Sequence, residues 1–241
     1  MTVSAVLSDA ASVYRRLWRR SVLVAGIVFA VIGLAGALAS RSATLGTTFV
    51  SLLLALVGTL LVQGALVEVV RDLHEGRPAA SLAAYYDRTR GRLGTLLGAS
   101  LLYGIGVFFG LLLLIVPGLI AVARWSLVIP LVMIEGRSVG DAFARSSQLV
   151  RGRTGAVLVV VLVANVLTSL VALVITAGLG FLPTFMAIWV GGTLAGAVAV
   201  PYEAHVLTVL YYHLTEPSRP VLPEQPQDDR WRSVWDEQPP E

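Results

Sequence analysis

The residues able to do chemistry are few, and one stands apart. Arg124 is the ionisable side chain set well inside the apolar stretches, between the uncharged runs 93–123 and 125–134. A guanidinium in hydrocarbon is costly, so it must face protein or water and hold a partner. Glu135 closes the second run. Arg124 with Glu135 would suit an anion or a lipid headgroup held in a helical cavity. The plainer reading is an arginine bonded to carbonyls freed by Pro117 or Pro130. Just beyond lies a second basic group. Ser138-Val139-Gly140-Asp141 opens a helix by its capping pattern, and Val139, Ala142, Phe143, Ser146, Leu149 and Val150 then share one face. A helix of this kind lies in the interface plane, with its apolar side in the acyl boundary. Arg145, Ser146, Arg151 and Arg153 are then candidate contacts for phosphate. They serve either a collar that orients the helices around it or a specific acidic headgroup site.

The other polar residues point to less. Glu68, Glu135 and Glu203 fall at the Arg-rich ends of apolar helices, where each can reach headgroups or pair with a local arginine, or take part in a proton or ion relay. Gln63 and Asn165 stand alone within spans. Interhelical hydrogen bonds are the default for such residues, and contact with a substrate is the alternative. His74, His205 and His213 are scattered, with no Glu-x-x-His or His-x-x-x-His spacing, so no metal is expected. There is no cysteine, which excludes disulfides and thiolate chemistry. There is no lysine for a phosphate-binding Gly-x-x-x-x-Gly-Lys loop, and no Gly-x-Ser-x-Gly elbow. The expectation is a protein that is not an enzyme, with no catalytic residue and no cofactor.

The elements that position these groups follow from composition. Of 241 residues, 56% are apolar and 14% charged. A soluble domain carries about 25% charged residues, so this surface is not built for water. Ordinary soluble enzymes, disordered chains and nucleic-acid-binding domains are excluded. A spanning helix needs about 20 apolar residues. Counting uncharged runs, and breaking them at Pro117-Gly118 and at 178–183, gives six spans near 21–40, 46–70, 94–115, 118–136, 154–177 and 184–213. The fourth, with Arg124 and Pro130, is expected to be irregular and need not reach the far face. Sixteen arginines then fall on one side and Arg41 alone on the other. That asymmetry places both termini in the cytoplasm. Arginine without lysine reads as a GC-rich coding bias, hence a bacterial cytoplasmic membrane.

Both ends of the chain carry their own signals. Leu7, Ala10, Ala11, Tyr14, Leu17 and Trp18 make an apolar stripe, so 1–20 is expected to be a cytoplasmic amphipathic helix. Arg19-Arg20-Ser21-Val22-Leu23 is faintly similar to a twin-arginine signal, but the apolar run after it is of full span length, which favours an uncleaved first helix. Residues 216–241 hold 6 of the 11 prolines and a net charge of −4 against +7 elsewhere. This tail should be mobile. Trp231, Val234 and Trp235 would make a short apolar face in it if that piece turned helical.

A threefold internal repeat is visible. One unit reads Ser81 through Tyr85-Tyr86 to Arg90-Gly91-Arg92-Leu93-Gly94 and exits at Glu135-Gly136-Arg137. The next reads Ser138 through Phe143 to Arg151-Gly152-Arg153-Thr154-Gly155 and exits at Glu216-Pro217-Ser218-Arg219. The first, a weaker match, runs from Tyr14 to Arg20 and exits at Glu75-Gly76-Arg77. Gly94/Gly98, Gly106/Gly110 and Gly192/Gly196 sit four apart, a spacing that lets helix backbones approach closely.

The order Arg124-Trp125, Pro130, Glu135-Gly136, Ala142, Arg145-Ser146, Leu149-Val150-Arg151-Gly152 resembles the membrane domain attached to some glycerophosphodiester phosphodiesterases. Stand-alone bacterial proteins of unassigned function share that domain. The resemblance runs loosely from about residue 10 to 214 and implies a six-helix membrane domain. It implies no phosphodiesterase activity here, because that chemistry belongs to a separate barrel of about 250 residues.

The fold class expected is therefore all-α: a polytopic bundle of six spans as three pseudo-repeated hairpins, each preceded by an interfacial amphipathic helix. The domains are 1–20, the membrane domain 21–215, and the tail 216–241. The function expected is a non-catalytic membrane module that scaffolds, regulates or assembles. The alternative is a transporter or lipid-handling carrier working around Arg124 and Glu135. Its partners are membrane lipids and either another membrane protein or further copies of itself, not nucleic acid.

Overall fold

The computed structural model describes residues 2–42, 44–216 and 220–221, and the reading of the tail, with Trp231, Val234 and Trp235, lies outside the described residues. Helices make up the architecture, and no strand occurs among the described residues. They are α1 (Val3–Ser42), α2 (Leu45–His74), α3 (Leu82–Arg90), α4 (Leu93–Leu113), α5 (Ile115–Trp125), α6 (Val128–Ile134), α7 (Val139–Val150), α8 (Thr154–Gly178) and α9 (Thr184–Thr215). With α5 and α6 taken as one piece, Ile115–Ile134, six helices are long and apolar enough to cross a membrane. This is the architecture of a multi-pass membrane protein.

The helix ends follow from local chemistry. Proline clashes with the carbonyl four residues back and gives no N–H. The residue four before Pro117 is Leu113, the last of α4. The residue four before Pro130 is Ser126, where α5 gives way to α6. In both cases proline is the third residue of the new helix, where no intrahelical N–H partner is needed. The first break therefore falls at Leu114, in extended conformation, three residues earlier than Pro117-Gly118. Ser81 and Ser138 cap α3 and α7, accepting from the N–H groups of Ala84 and Asp141 at 3.2 and 3.3 Å. Gly76 and Gly136 both take φ near +67° after a Glu, a left-handed turn that glycine adopts without strain. The two Arg-Gly-Arg turns differ: Gly152 is left-handed at φ 80°, whereas Gly91 is right-handed at φ −60°.

The amphipathic stretch 1–20 is not a separate piece. It continues into the first span as one 40-residue helix. No proline or glycine interrupts 14–25, and the hydroxyl of Ser21 is satisfied sideways by His205 Nε2 at 3.2 Å. At about 1.5 Å per residue, α1 is roughly 60 Å long, twice a hydrocarbon core of about 30 Å. Its first third lies against other helices: Val6, Ala10 and Val13 are fully buried.

Packing is densest where the arginines gather. The larger core joins Val6 and Val13 of α1, Val67 and Val70 of α2, Leu131 and Met133 of α6, and Val206 to Leu210 of α9. A second joins Val24 and Phe29 to Leu66, Tyr85 and Ala204. At the opposite end Leu45, Leu113 and Phe181 are 93%, 78% and 81% exposed. Exposed apolar surface on that scale marks a contact with lipid or with another protein. Lipid gives apolar side chains no reason to seek one another, and the thickest core forms at the Arg-rich end.

Candidate functional site

Glu135 is a junction. It ends α6, and its carboxylate takes Arg137 Nε at 2.8 Å, Arg145 Nε at 3.7 Å and the Tyr211 hydroxyl at 3.1 Å. It therefore ties α6 to α7 and α9. Arg124 does not join it. Its side chain is exposed on α5 and makes no hydrogen bond or ion pair among the described residues. What α7 meets at that position is backbone. The Ser146 hydroxyl, fully buried, donates to the Arg124 carbonyl at 2.6 Å and accepts from Leu127 N–H at 3.3 Å. Ser146 thus bridges the α5–α6 break. Arg151 and Arg153 lie exposed in the turn before α8, without side-chain partners among the described residues. Of the six residues named from sequence, Glu135 and Arg145 meet, and Ser146 touches the backbone of Arg124.

A second junction was legible only in part. Glu68 and Asp72 of α2 are buried, and Arg88 of α3 reaches both, at 3.4 and 3.3 Å. Arg71 pairs with Glu68 and Glu75, and Arg77 pairs with Asp72 and Glu75. Beside them burial pushes the Tyr85 phenol up, and pushes that of Tyr86 to about 12. Both phenols stay neutral at pH 7, Tyr86 donating to the Val24 carbonyl. The C-terminal ends are tied as well. His74 Nε2 lies 3.4 Å from Glu216, and His213 Nε2 lies 2.8 Å from Asp9. The three histidines serve three different contacts. No group of three metal-ligating side chains occurs among the described residues.

A half-open cavity lies elsewhere among the described residues, between α2, α4, α5, α6, α8 and α9. It has a volume of about 520 Å³. Apolar side chains such as Leu56, Leu60, Val122, Ile129 and Leu162 form most of its wall. Its polar lining is Thr59, Gln63, Ser100, Tyr103, Ser126, Asn165 and Glu203, with the indole of Trp125. At about 1.5 Å per residue, Asn165 lies roughly 18 Å along its helix from Arg153 and Tyr103 roughly 16 Å from Arg92. The cavity thus reaches about halfway into an apolar slab of about 30 Å. Glu203 stands nearer the Arg-rich end, two residues before His205 and its bond to Ser21. Its carboxylate makes no hydrogen bond or ion pair among the described residues. Asn165 spends one amide N–H on the Val161 carbonyl at 3.0 Å. The sequence marks Gln63, Asn165 and Glu203 one at a time. Their convergence on one space depends on helix rotation, which no spacing within a single helix reports.

The paired glycines divide by neighbour. A Cβ on Gly106 would strike the Trp125 ring, one on Gly110 would meet Gly118 Cα at 3.0 Å, and one on Gly196 would strike Phe29. Gly94 and Gly192 face open space. Compared with protein-family models, curated proteins and solved structures, the chain matches none.

Proposed function

We propose that this chain is a non-catalytic integral membrane module of a bacterial cytoplasmic membrane, with both termini in the cytoplasm, that presents a fixed face for assembly or regulation. The observation that supports this is the ion-paired layer at the Arg-rich end. Glu68, Asp72 and Glu135, buried or nearly so, are each held by arginines from other turns or helices. His213–Asp9 and His74–Glu216 fasten α9 to α1 and α2. Charges used in this way fix the helices relative to one another, as a platform requires. Arg151, Arg153 and the exposed Trp18 lie at the rim of that layer, where headgroups and aromatic belts meet. Within this reading α3, α7 and the first third of α1 are the interfacial members of three related units, and the shared turn at Gly76 and Gly136 is the best local sign of the relation. The proposal agrees with the resemblance to the membrane domain of glycerophosphodiester phosphodiesterases.

The test is reconstitution in liposomes. The module reading expects neither solute flux nor lipid scrambling above protein-free vesicles, at any protein-to-lipid ratio. Scrambling that rises with protein density overturns it. A second reading, a carrier for an amphiphile, is favoured by one observation, the 520 Å³ cavity. It moves the working site from Arg124 and Glu135 to the cavity wall.

A further inference from the structure

We propose that the cavity between α2, α4, α5, α6, α8 and α9 binds a hydrophobic organic cation, an alkylammonium whose head sits at Glu203 and whose tail lies along the apolar wall. Binding of this kind is independent of whether anything crosses the membrane, and it stands apart from the platform reading.

Three observations carry it. First, the volume of about 520 Å³ falls in the range of small-molecule sites, about 300–1,000 Å³. The wall is mostly apolar with a few polar groups, as such sites require. Second, the charge is one-sided. Glu203 is the single acidic side chain on the wall, and no arginine or histidine lines it. The carboxylate has no partner among the described residues, unlike Glu68, Asp72 and Glu135. An ionisable group within a span and without a partner in the protein is by default a functional site. Third, the neighbouring groups suit a cation. Tyr103 and Trp125 supply aromatic rings, whose faces attract ammonium groups. Gln63 and Asn165 supply amide oxygens, and one N–H of the Asn165 amide is already committed to the Val161 carbonyl. An anion would meet a carboxylate and no positive charge. A neutral alcohol would give the carboxyl a hydrogen bond but no opposite charge. An alkylammonium satisfies both the charge and the apolar wall.

The experiment is equilibrium binding of radiolabelled decyltrimethylammonium to the full chain in nanodiscs, with empty nanodiscs subtracted. The neutral isostere, with a tert-butyl head, and decyl sulfate serve as competitors. Saturable binding of about one probe per chain is expected, with at least ~10-fold weaker competition from both analogues, since a half-buried carboxylate without a charge partner discriminates by that much or more. Glu203→Gln should weaken the probe ~30-fold or more, and Tyr103→Leu ~3-fold or more. Leu162→Trp should abolish binding by filling the space. Competition by the isostere or by decyl sulfate equal to that of the unlabelled probe overturns the proposal on the unaltered chain, whatever the variants do. So does the absence of saturable binding, and so does binding that a folded Glu203→Gln chain retains.

Discussion

Ser146→Ala isolates what the α7 helix does for the hairpin. The hydroxyl is fully buried and serves two backbone groups, donating to the Arg124 carbonyl and accepting from Leu127 N–H. Both belong to the break that Pro130 imposes between α5 and α6. Alanine keeps the helix and nearly the volume but leaves both groups bare. A buried unsatisfied group costs about 1–3 kcal/mol, so the pair should cost about 2–6 kcal/mol. The neighbouring Ser147, partly exposed and without a hydrogen bond among the described residues, is the control. The assay is reversible unfolding in mixed micelles titrated with a denaturing detergent, followed by tryptophan fluorescence. Ser147→Ala should stay within about 0.5 kcal/mol of the parent chain. If Ser146→Ala does the same, the bridging role is refuted. Loss of anionic-lipid binding without loss of stability would return Ser146 to the headgroup role its place beside Arg145 suggests.

Further expectations follow from the same geometry. Arg88→Ala leaves Glu68 and Asp72 buried with less compensation and should destabilise by about 1–3 kcal/mol, read by thermal unfolding in detergent. Gly110→Val places a branched side chain against the Gly118 backbone and should destabilise by about 1–3 kcal/mol. Gly104→Ala, which meets open space, should instead be neutral or stabilising by up to ~1 kcal/mol in the same measurement. The chain has no cysteine, so single substitutions report sidedness directly. Ser42→Cys should react with an impermeant maleimide from outside whole cells, and Arg90→Cys only after the membrane is opened. Labelling of both from one side would refute the orientation.

What the sequence determined by itself is the part set by one dimension. Uninterrupted apolar length fixes where helices can span, so six predicted spans match six observed helices to within a few residues at most ends. Proline chemistry fixes where α4 and α5 stop, once the clash four residues back is counted. Serine caps fix the starts of α3 and α7. Tertiary structure decided everything that needs a second helix. The run 1–20 carries an interfacial pattern, yet it is the foot of a 40-residue helix whose Val6, Ala10 and Val13 are buried in a core shared with α2, α6 and α9. Glu135 found its arginine on α7 instead of at Arg124. Gln63, Asn165 and Glu203 share a cavity although they are 38 to 140 residues apart in the chain. Periodicity tells which residues of one helix share a face. Which faces meet is settled by how helices rotate and cross, and that depends on every contact at once.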